Sequence, residues 1–238
     1  AEPGNKYIAA DYCAQESIVL ANFSKDKNLL LFYERGFEDI HSYVTFLLFP
    51  EVRRCELEEL TNDELIYIKK NFKKLRNIAK TAEFAIAYGG NGSTIAKNTG
   101  QSKAQGDFVY KSYFDSFSDL KFYFEQGMLQ VERDHYILFN SLTNRKLFFS
   151  EEEPFLKYKP MIDNPNFWRF PDAREINQEY NKSKSEVQRK SQNYRIQGSA
   201  ADCSKLAGII FFNQLIQRDW IWKVKIVNMV HDRHTCRG

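Results

Sequence analysis

The chain has 238 residues, 43% of them hydrophobic and 15% aromatic, with 34 Lys and Arg against 31 Asp and Glu for a net charge of +3. That length can hold one domain or two small ones around a sizeable core, and the hydrophobic share excludes general disorder. The charge alone does not argue for nucleic acid, no apolar run approaches the roughly 18 residues of a membrane span, and Cys13, Cys55, Cys203 and Cys236 lack the CxxC spacing of a zinc site or disulfide framework; the expectation is a soluble cytoplasmic protein with reduced thiols.

Tyr7, Ile8, Ala9 and Ala10 read as a short buried strand that delivers Asp11 at its end. A helix is expected from Gln15, with Ile18, Val19, Leu20 and Phe23 facing a core. Thr61-Asn62-Asp63-Glu64 has the pattern of a capping box ahead of Leu65, Ile66 and Ile68. Helix continues from there, with room for a break, until Gly89-Gly90-Asn91-Gly92 ends it, because glycine tolerates the positive φ of a helix exit.

Within that helix Arg76, Lys80, Phe84 and Tyr88 recur every four residues, so they share one slowly drifting stripe about 18 Å long. Such a stripe suits a nucleotide: a guanidinium fork and an ammonium for phosphates, then two flat rings for a sugar or base. Lys69, Lys70, Lys73 and Lys74 add to the cations at its start. Taken alone, a solvated basic face with two core aromatics reads equally well.

Tyr110, Tyr113, Phe114, Phe117, Leu120, Tyr123 and Phe124 make a second aromatic stripe, read as core. Pro154, Pro160, Pro165 and Pro171 exclude a long helix around Trp168 and Phe170, and the stretch reads as a surface insertion. Residues 178–192 are polar enough for an exposed helix and 200–216 apolar enough for a buried one. Lys223 to Val230 then reads as a β-branched strand delivering His231 and Asp232. Two aspartates at strand ends, with a phosphate-suited helix between them in sequence, fit two magnesium ions sharing hard oxygen ligands.

These residues carry a resemblance. The segment from Asp11 to Ala21 is similar to motif A of the family A DNA polymerases, Arg76 to Gly89 to motif B, and Val230-His231-Asp232 to the start of motif C, in the same order along the chain. Asp39-Ile40-His41, Asn144-Arg145-Lys146-Leu147 and the run of Arg189, Asn193 and Gln197-Gly198-Ser199-Ala200-Ala201-Asp202 agree with it. The resemblance covers about Tyr7 to Asp232 and is weaker between about 151 and 184.

It implies an α/β (α+β) right-hand polymerase: a palm with an antiparallel sheet over 1–40 and 185–238, and mostly helical fingers over 41–184 that include motif B and the insertion, with the thumb absent. It further implies magnesium-dependent nucleotidyl transfer from dNTP to the primer 3′ hydroxyl on primer-template DNA. Asp11 and Asp232, with the carbonyl of Tyr12, would bind the two magnesium ions. His41, Arg76 and Lys80 would hold the triphosphate, Lys80 also giving a proton to the leaving group; Phe84 would stack on sugar and base, and Tyr88 would border the template. Glu16 would exclude a ribose 2′ hydroxyl. Arg145, Arg189, Asn193, Gln197 and His231 would meet DNA, the two amides reading acceptors common to all correct pairs in the minor groove. A bacterial cell, with phage infection as one setting, is the expected location.

The departures are specific. Arg233 follows Asp232 where the family has a glutamate, the sequence ends five residues later, and Cys13, Ala14 and Gln15 replace the usual serine, glutamine and isoleucine of motif A. A guanidinium about 5 Å from a magnesium ion is repelled on the order of several kcal/mol at an effective dielectric near 20. Two readings follow: a polymerase core, as a fragment or split subunit whose missing domains lie on another chain, or a catalytically silent DNA- or nucleotide-binding module that requires partner chains.

Overall fold

The computed structural model describes every residue except 1–3, 5, 13, 141, 142, 231, 232 and 238, with the backbone alone for 7, 228–230 and 233–237. The expectations for His231 and Asp232 therefore lie outside the described residues. In chain order the elements are β1 (Tyr7–Asp11), α1 (Gln15–Ser24), α2 (Lys27–Glu34), α3 (Ile40–Leu48), α4 (Asn62–Asn71), α5 (Lys73–Ala87), α6 (Gly92–Thr99), α7 (Lys103–Ser116) and α8 (Ser118–Asp134). They continue as β2 (Tyr136–Leu138), β3 (Lys146–Phe148), α9 (Pro154–Ile162), α10 (Ala173–Gln217), β4 (Lys225–Val230) and β5 (Arg233–Arg237), so the fold is mostly helical with a small antiparallel sheet, as expected. No described helix is long and apolar enough to cross a membrane.

The chain divides into two compact units, a smaller one of residues 1–20, 138–147 and 194–238 and a larger one of 21–137 and 148–193. The first of these boundaries lies at residue 20, and Asp26 ties the segment after it into the larger unit. Its buried carboxylate caps α2, Oδ1 accepting from the amides of Asn28 and Leu29 at 3.0 and 3.2 Å. Oδ2 accepts from Asp119 and Leu120 at 3.1 and 3.3 Å, so the same side chain caps α8, whose own cap position is Phe117 and offers no side-chain acceptor. Asn28 Nδ2 donates to the Ser116 carbonyl at 2.7 Å, and the Tyr43 hydroxyl donates to the Asn28 carbonyl at 2.9 Å. Residues 21–34 are thereby tied into the helical unit, around a core that includes Tyr43, Leu65, Ile68, Ile86, Phe117 and Leu120.

Several expectations change in detail. The break near motif B is real, at Phe72 between α4 and α5. Thr61 caps α4 by accepting from the Glu64 amide at 3.4 Å, but the Glu64 carboxylate lies 3.7 Å from Arg54 Nε instead of closing the box. Reciprocal boxes form at Asn91 with Thr94 and at Ser102 with Gln105. The second aromatic stripe is core, as read, but bends at Phe117 between α7 and α8. The proline segment forms the short α9 and is anchored, not superficial: Phe155 and Phe167 are buried, and Ser183 Oγ accepts from the Phe155 amide at 3.0 Å. Helices α6 and α7 cross at Gly92 and Gly106, where a methyl on Gly106 would overlap the Gly92 carbonyl.

Residues 178–192 and 200–216 belong to one 45-residue helix, α10. Its first half buries Tyr180, Val187 and Ser191 on one side, as a half-buried helix does. Its second half corrects the expectation of burial: Leu206, Ile209, Ile210, Phe212 and Ile216 are all more than 40% exposed. The apolar residues there run around the helix, and the described chain covers only part of its circumference.

In the smaller unit the sheet order is β1-β5-β4, antiparallel throughout. Residues 233–237, which the sequence left as an unfamiliar tail, form its central strand. The register pairs Asp11 with Arg233 and Val230 with the same Arg233, so β1 and β4 run parallel and end at one level.

Asp26→Ala should lower unfolding stability by about 3 kcal/mol, because four amides, two of them buried, lose their acceptor at once. Urea unfolding of the chain measures it, and a loss below about 1 kcal/mol would show that the double cap is not structural.

Candidate nucleotide-binding site

Helix α5 buries Ile78, Ala79, Ala82 and Ile86, and this stripe turns the motif B side chains to its other faces. Phe84 and Tyr88 are 46% and 39% exposed, which removes the core-filling alternative for both. Lys80, Phe84 and Tyr88 line one side of a cavity of about 370 Å³, with Thr94 and Asn98 of α6 on the other. Lys80 Nζ lies 5.9 Å from the Phe84 ring centroid, within cation–π range.

The cations nearer α3 are held by carboxylates. Asp39 caps α3, accepting from the Ser42 amide and hydroxyl at 3.4 and 2.9 Å. It also grips Arg76 in a fork, accepting from Nη2 at 2.8 Å and Nε at 3.1 Å, with Lys69 Nζ at 3.8 Å. Burial works to raise the Asp39 pKa, but Arg76 and Ser42 together hold it below its ordinary value. His41 Nδ1 lies 2.6 Å from Glu83 Oε2, and the His41 and Phe84 rings are 6.1 Å apart. Burial pushes the Glu83 carboxyl up, against the pull of His41. Helices α3 and α5 are thus cross-paired, each giving one acid and one base. His41, Arg76, Lys80, Phe84 and Tyr88, predicted from distant segments, share the larger unit.

Arg189 is also in that unit. Gly89, at φ +74°, lies against it so closely that a Cβ on Gly89 would stand 2.9 Å from Arg189 Cα, so the end of motif B and α10 meet backbone to backbone. Arg189 is exposed and Asn193 half-buried, and with Gln197 they stand at four-residue steps of the continuous α10.

In the smaller unit Gln197 Nε2 donates to Glu16 Oε1 at 3.3 Å, joining two predicted site residues. Gln15 Nε2 donates to the Ala200 carbonyl and Ser204 Oγ at 3.1 and 3.2 Å, which fastens α1 to α10. Arg145 pairs with Asp202 and lies over the Phe139 ring at 4.8 Å. Asp11 and Tyr12 border an apolar cavity of about 520 Å³ with Ile8, Phe211, Leu215 and Trp220. Asp11 is exposed at the end of β1, and a carboxylate beside a backbone carbonyl is the hard oxygen donor set that magnesium takes. No group of three or more His, Cys, Asp or Glu suited to a metal occurs among the described residues.

Sequence reasoning missed Glu83 and the grip of Asp39 on Arg76. Glu83 had a signal: it stands four residues after Ala79 and three before Ile86, so an acid sits on the buried stripe.

The larger unit thus gathers Lys80 and the paired Arg76 and His41 with two exposed rings on adjoining helix faces, a set of groups suited to phosphates and a base. The profile of DNA polymerase family A matches residues 1–235, and the chain belongs to that family. Among curated relatives, DNA polymerase I of Borreliella burgdorferi is 29% identical over 97% of this chain, and that of Bacillus subtilis 26% over 94%. The chain spans 21% of the length of each. The POL domain of Pol1 from M. smegmatis, in complex with DNA primer-template and dNTP, shares the fold with a TM-score of 0.68 at 23% identity, over 97% of this chain and 33% of that one.

The lowered Asp39 pKa gives a signed prediction. The stability it contributes is present above its ordinary pKa of 3.8 and is lost as pH falls through the lower folded value. Asp39→Asn should cost about 2 kcal/mol near pH 7, with the gap closing as pH falls below the ordinary 3.8 and through the lower folded value. Urea titrations at neutral pH and below that folded value check it; an equal gap at both would exclude the ionised fork.

Proposed function

We propose that this chain is the core of a template-directed DNA polymerase, transferring nucleotides from dNTP to a primer 3′ hydroxyl with magnesium. The observation that carries the reading is the face of α5, where Lys80, Phe84 and Tyr88 open onto one cavity beside the paired Arg76 and His41. Family membership and the neighbour's bound primer-template and dNTP support the substrate class. In this reading the smaller unit serves as palm and the larger as fingers.

Arg76, Lys80 and His41 bind the triphosphate, Phe84 packs on the sugar and base, and Tyr88 borders the template. Lys80 delivers a proton to the leaving pyrophosphate. Glu16, held by Gln197, crowds the sugar 2′ position, while Arg145, Arg189, Asn193, Gln197 and His231 meet the DNA. Asp11 and Asp232, with the Tyr12 carbonyl, would hold two magnesium ions, which neutralise charge on the 3′ oxygen and the departing phosphates. The shared level of the β1 and β4 ends supports bringing those two aspartates together.

Asp11→Asn should abolish magnesium-dependent primer extension and leave DNA binding nearly unchanged. Equal extension by mutant and parent would remove the metal assignment.

One observation favours a second reading, a silent binding module completed by partner chains: the residue opposite Asp11 in the register is Arg233. A cation at this position opposes metal binding. Arg233→Glu, joined to a family-like C-terminal strand, should raise extension by orders of magnitude. Full activity of the parent, with no gain from glutamate, would dismiss the second reading.

A further inference from the structure

We propose that Glu83 is a positioning residue, holding His41 by Nδ1 so that Nε2 is the ring nitrogen left to donate to the phosphates of the nucleotide. The inference rests on the assignment of His41 to the triphosphate.

The geometry begins with α3 and α5. His41 is the second residue of α3, two positions after the Asp39 cap, and Thr45 Oγ1 donates to its carbonyl at 2.6 Å. Glu83 comes from α5, two turns after Arg76 and one before the exposed end of the stripe. Its carboxylate lies 2.6 Å from Nδ1, and both side chains are largely buried, at 21% and 15% exposure. The Phe84 ring flanks the imidazole at 6.1 Å. One ring nitrogen is therefore spoken for, and the other has no partner among the described residues.

Proton counting shows what this does. An ionised Glu83 with a doubly protonated His41 and a protonated Glu83 with a neutral His41 carry the same number of protons and no net charge. In both, Nδ1 faces Glu83 and Nε2 carries hydrogen, so the pair offers a phosphate a directed donor wherever the shared proton sits. Removing one proton leaves an anionic pair whose Nε2 is a lone pair, and a triphosphate would be repelled. Asp39 and Arg76 face the same pair, as does the buried Tyr113 hydroxyl, and the Asp39–Arg76 fork adds no net charge to it. Glutamine at 83 could still meet Nδ1 through its amide and leave hydrogen on Nε2; alanine could not.

The test is calorimetric titration of magnesium–dATP into the full chain, with nitrogen-15 NMR of the His41 ring. Glu83→Ala should weaken binding about tenfold, and Glu83→Gln should stay within about threefold of the parent. In a His41→Ala background Glu83→Ala should have no further effect, because it acts through the ring, whereas a structural role would add. The Nδ1 resonance should move in Glu83→Ala, where the hydrogen-bond partner is gone. If His41→Ala weakens binding while both Glu83 variants bind like the parent, the inference is overturned and the triphosphate site stands. If the Nδ1 signal moves but His41→Ala binds dATP like the parent, the pair exists, the assignment of His41 is wrong, and the inference goes with it.

Discussion

The buried carboxylate of Asp26 is the constraint from which the α3 and α5 face carrying Arg76 and His41 takes its position. An ionised group is costly to bury unless its lone pairs are met, and here four backbone amides at two helix starts meet them. This joins α2 to α8, while Asn28 and Tyr43 extend the same polar cluster to α7 and α3. Burial raises the Tyr43 phenol far above its ordinary range, so its hydroxyl remains a donor to the Asn28 carbonyl. Helix α3 is fixed through Tyr43, and α3 carries Asp39 and His41 to α5. The basic face of α5 is thus oriented by acids at the starts of α2 and α3 and on α5 itself.

That dependence sets the electrostatics. A stripe of unpaired Arg, Lys and His would attract phosphate strongly but without direction, and its members would repel one another. Pairing Arg76 with Asp39 and His41 with Glu83 removes most net charge from the α3 side and leaves oriented donors, while Lys80 stands on the cavity side. The geometry therefore favours specificity of placement over raw attraction, as charge complementarity commonly does at recognition surfaces. A phosphate reaching Arg76 must share a guanidinium already forked onto Asp39.

Strands β1 and β4, the helix break near motif B and the glycine exit were legible because each has a local cause, an apolar or β-branched run, a cap or a positive φ. Strand β1 is nonetheless exposed where burial was expected, and β2, β3 and β5 were not foreseen. The motif B stripe was legible because a helix converts spacing into direction. Asp26 was not. Its second partner lies more than ninety residues away, and a lone Asp ahead of a helix announces only one cap. The error over residues 200–216 has a different origin. Apolar content indicates what a helix could bury, whereas burial depends on which surfaces surround it. Glu83 and the hold of Asp39 on Arg76 were overlooked because reading for cations at phosphate spacing passes over the acids that orient them.

The exposed half of α10 still holds its helical form, and the reason is propagation. Nucleating a helix is costly, but each added residue then costs little once a turn exists. The first half supplies that nucleus, with Tyr180, Val187 and Ser191 buried along one side. Gln15 adds a fixed point at Ala200 and Ser204, and Arg145 another at Asp202. Beyond these, between Cys203 and Gln217, Ser204 and Leu215 are the residues of α10 buried by the described chain. One helix thus carries both a segment packed along one side and an apolar segment that the described chain leaves largely exposed.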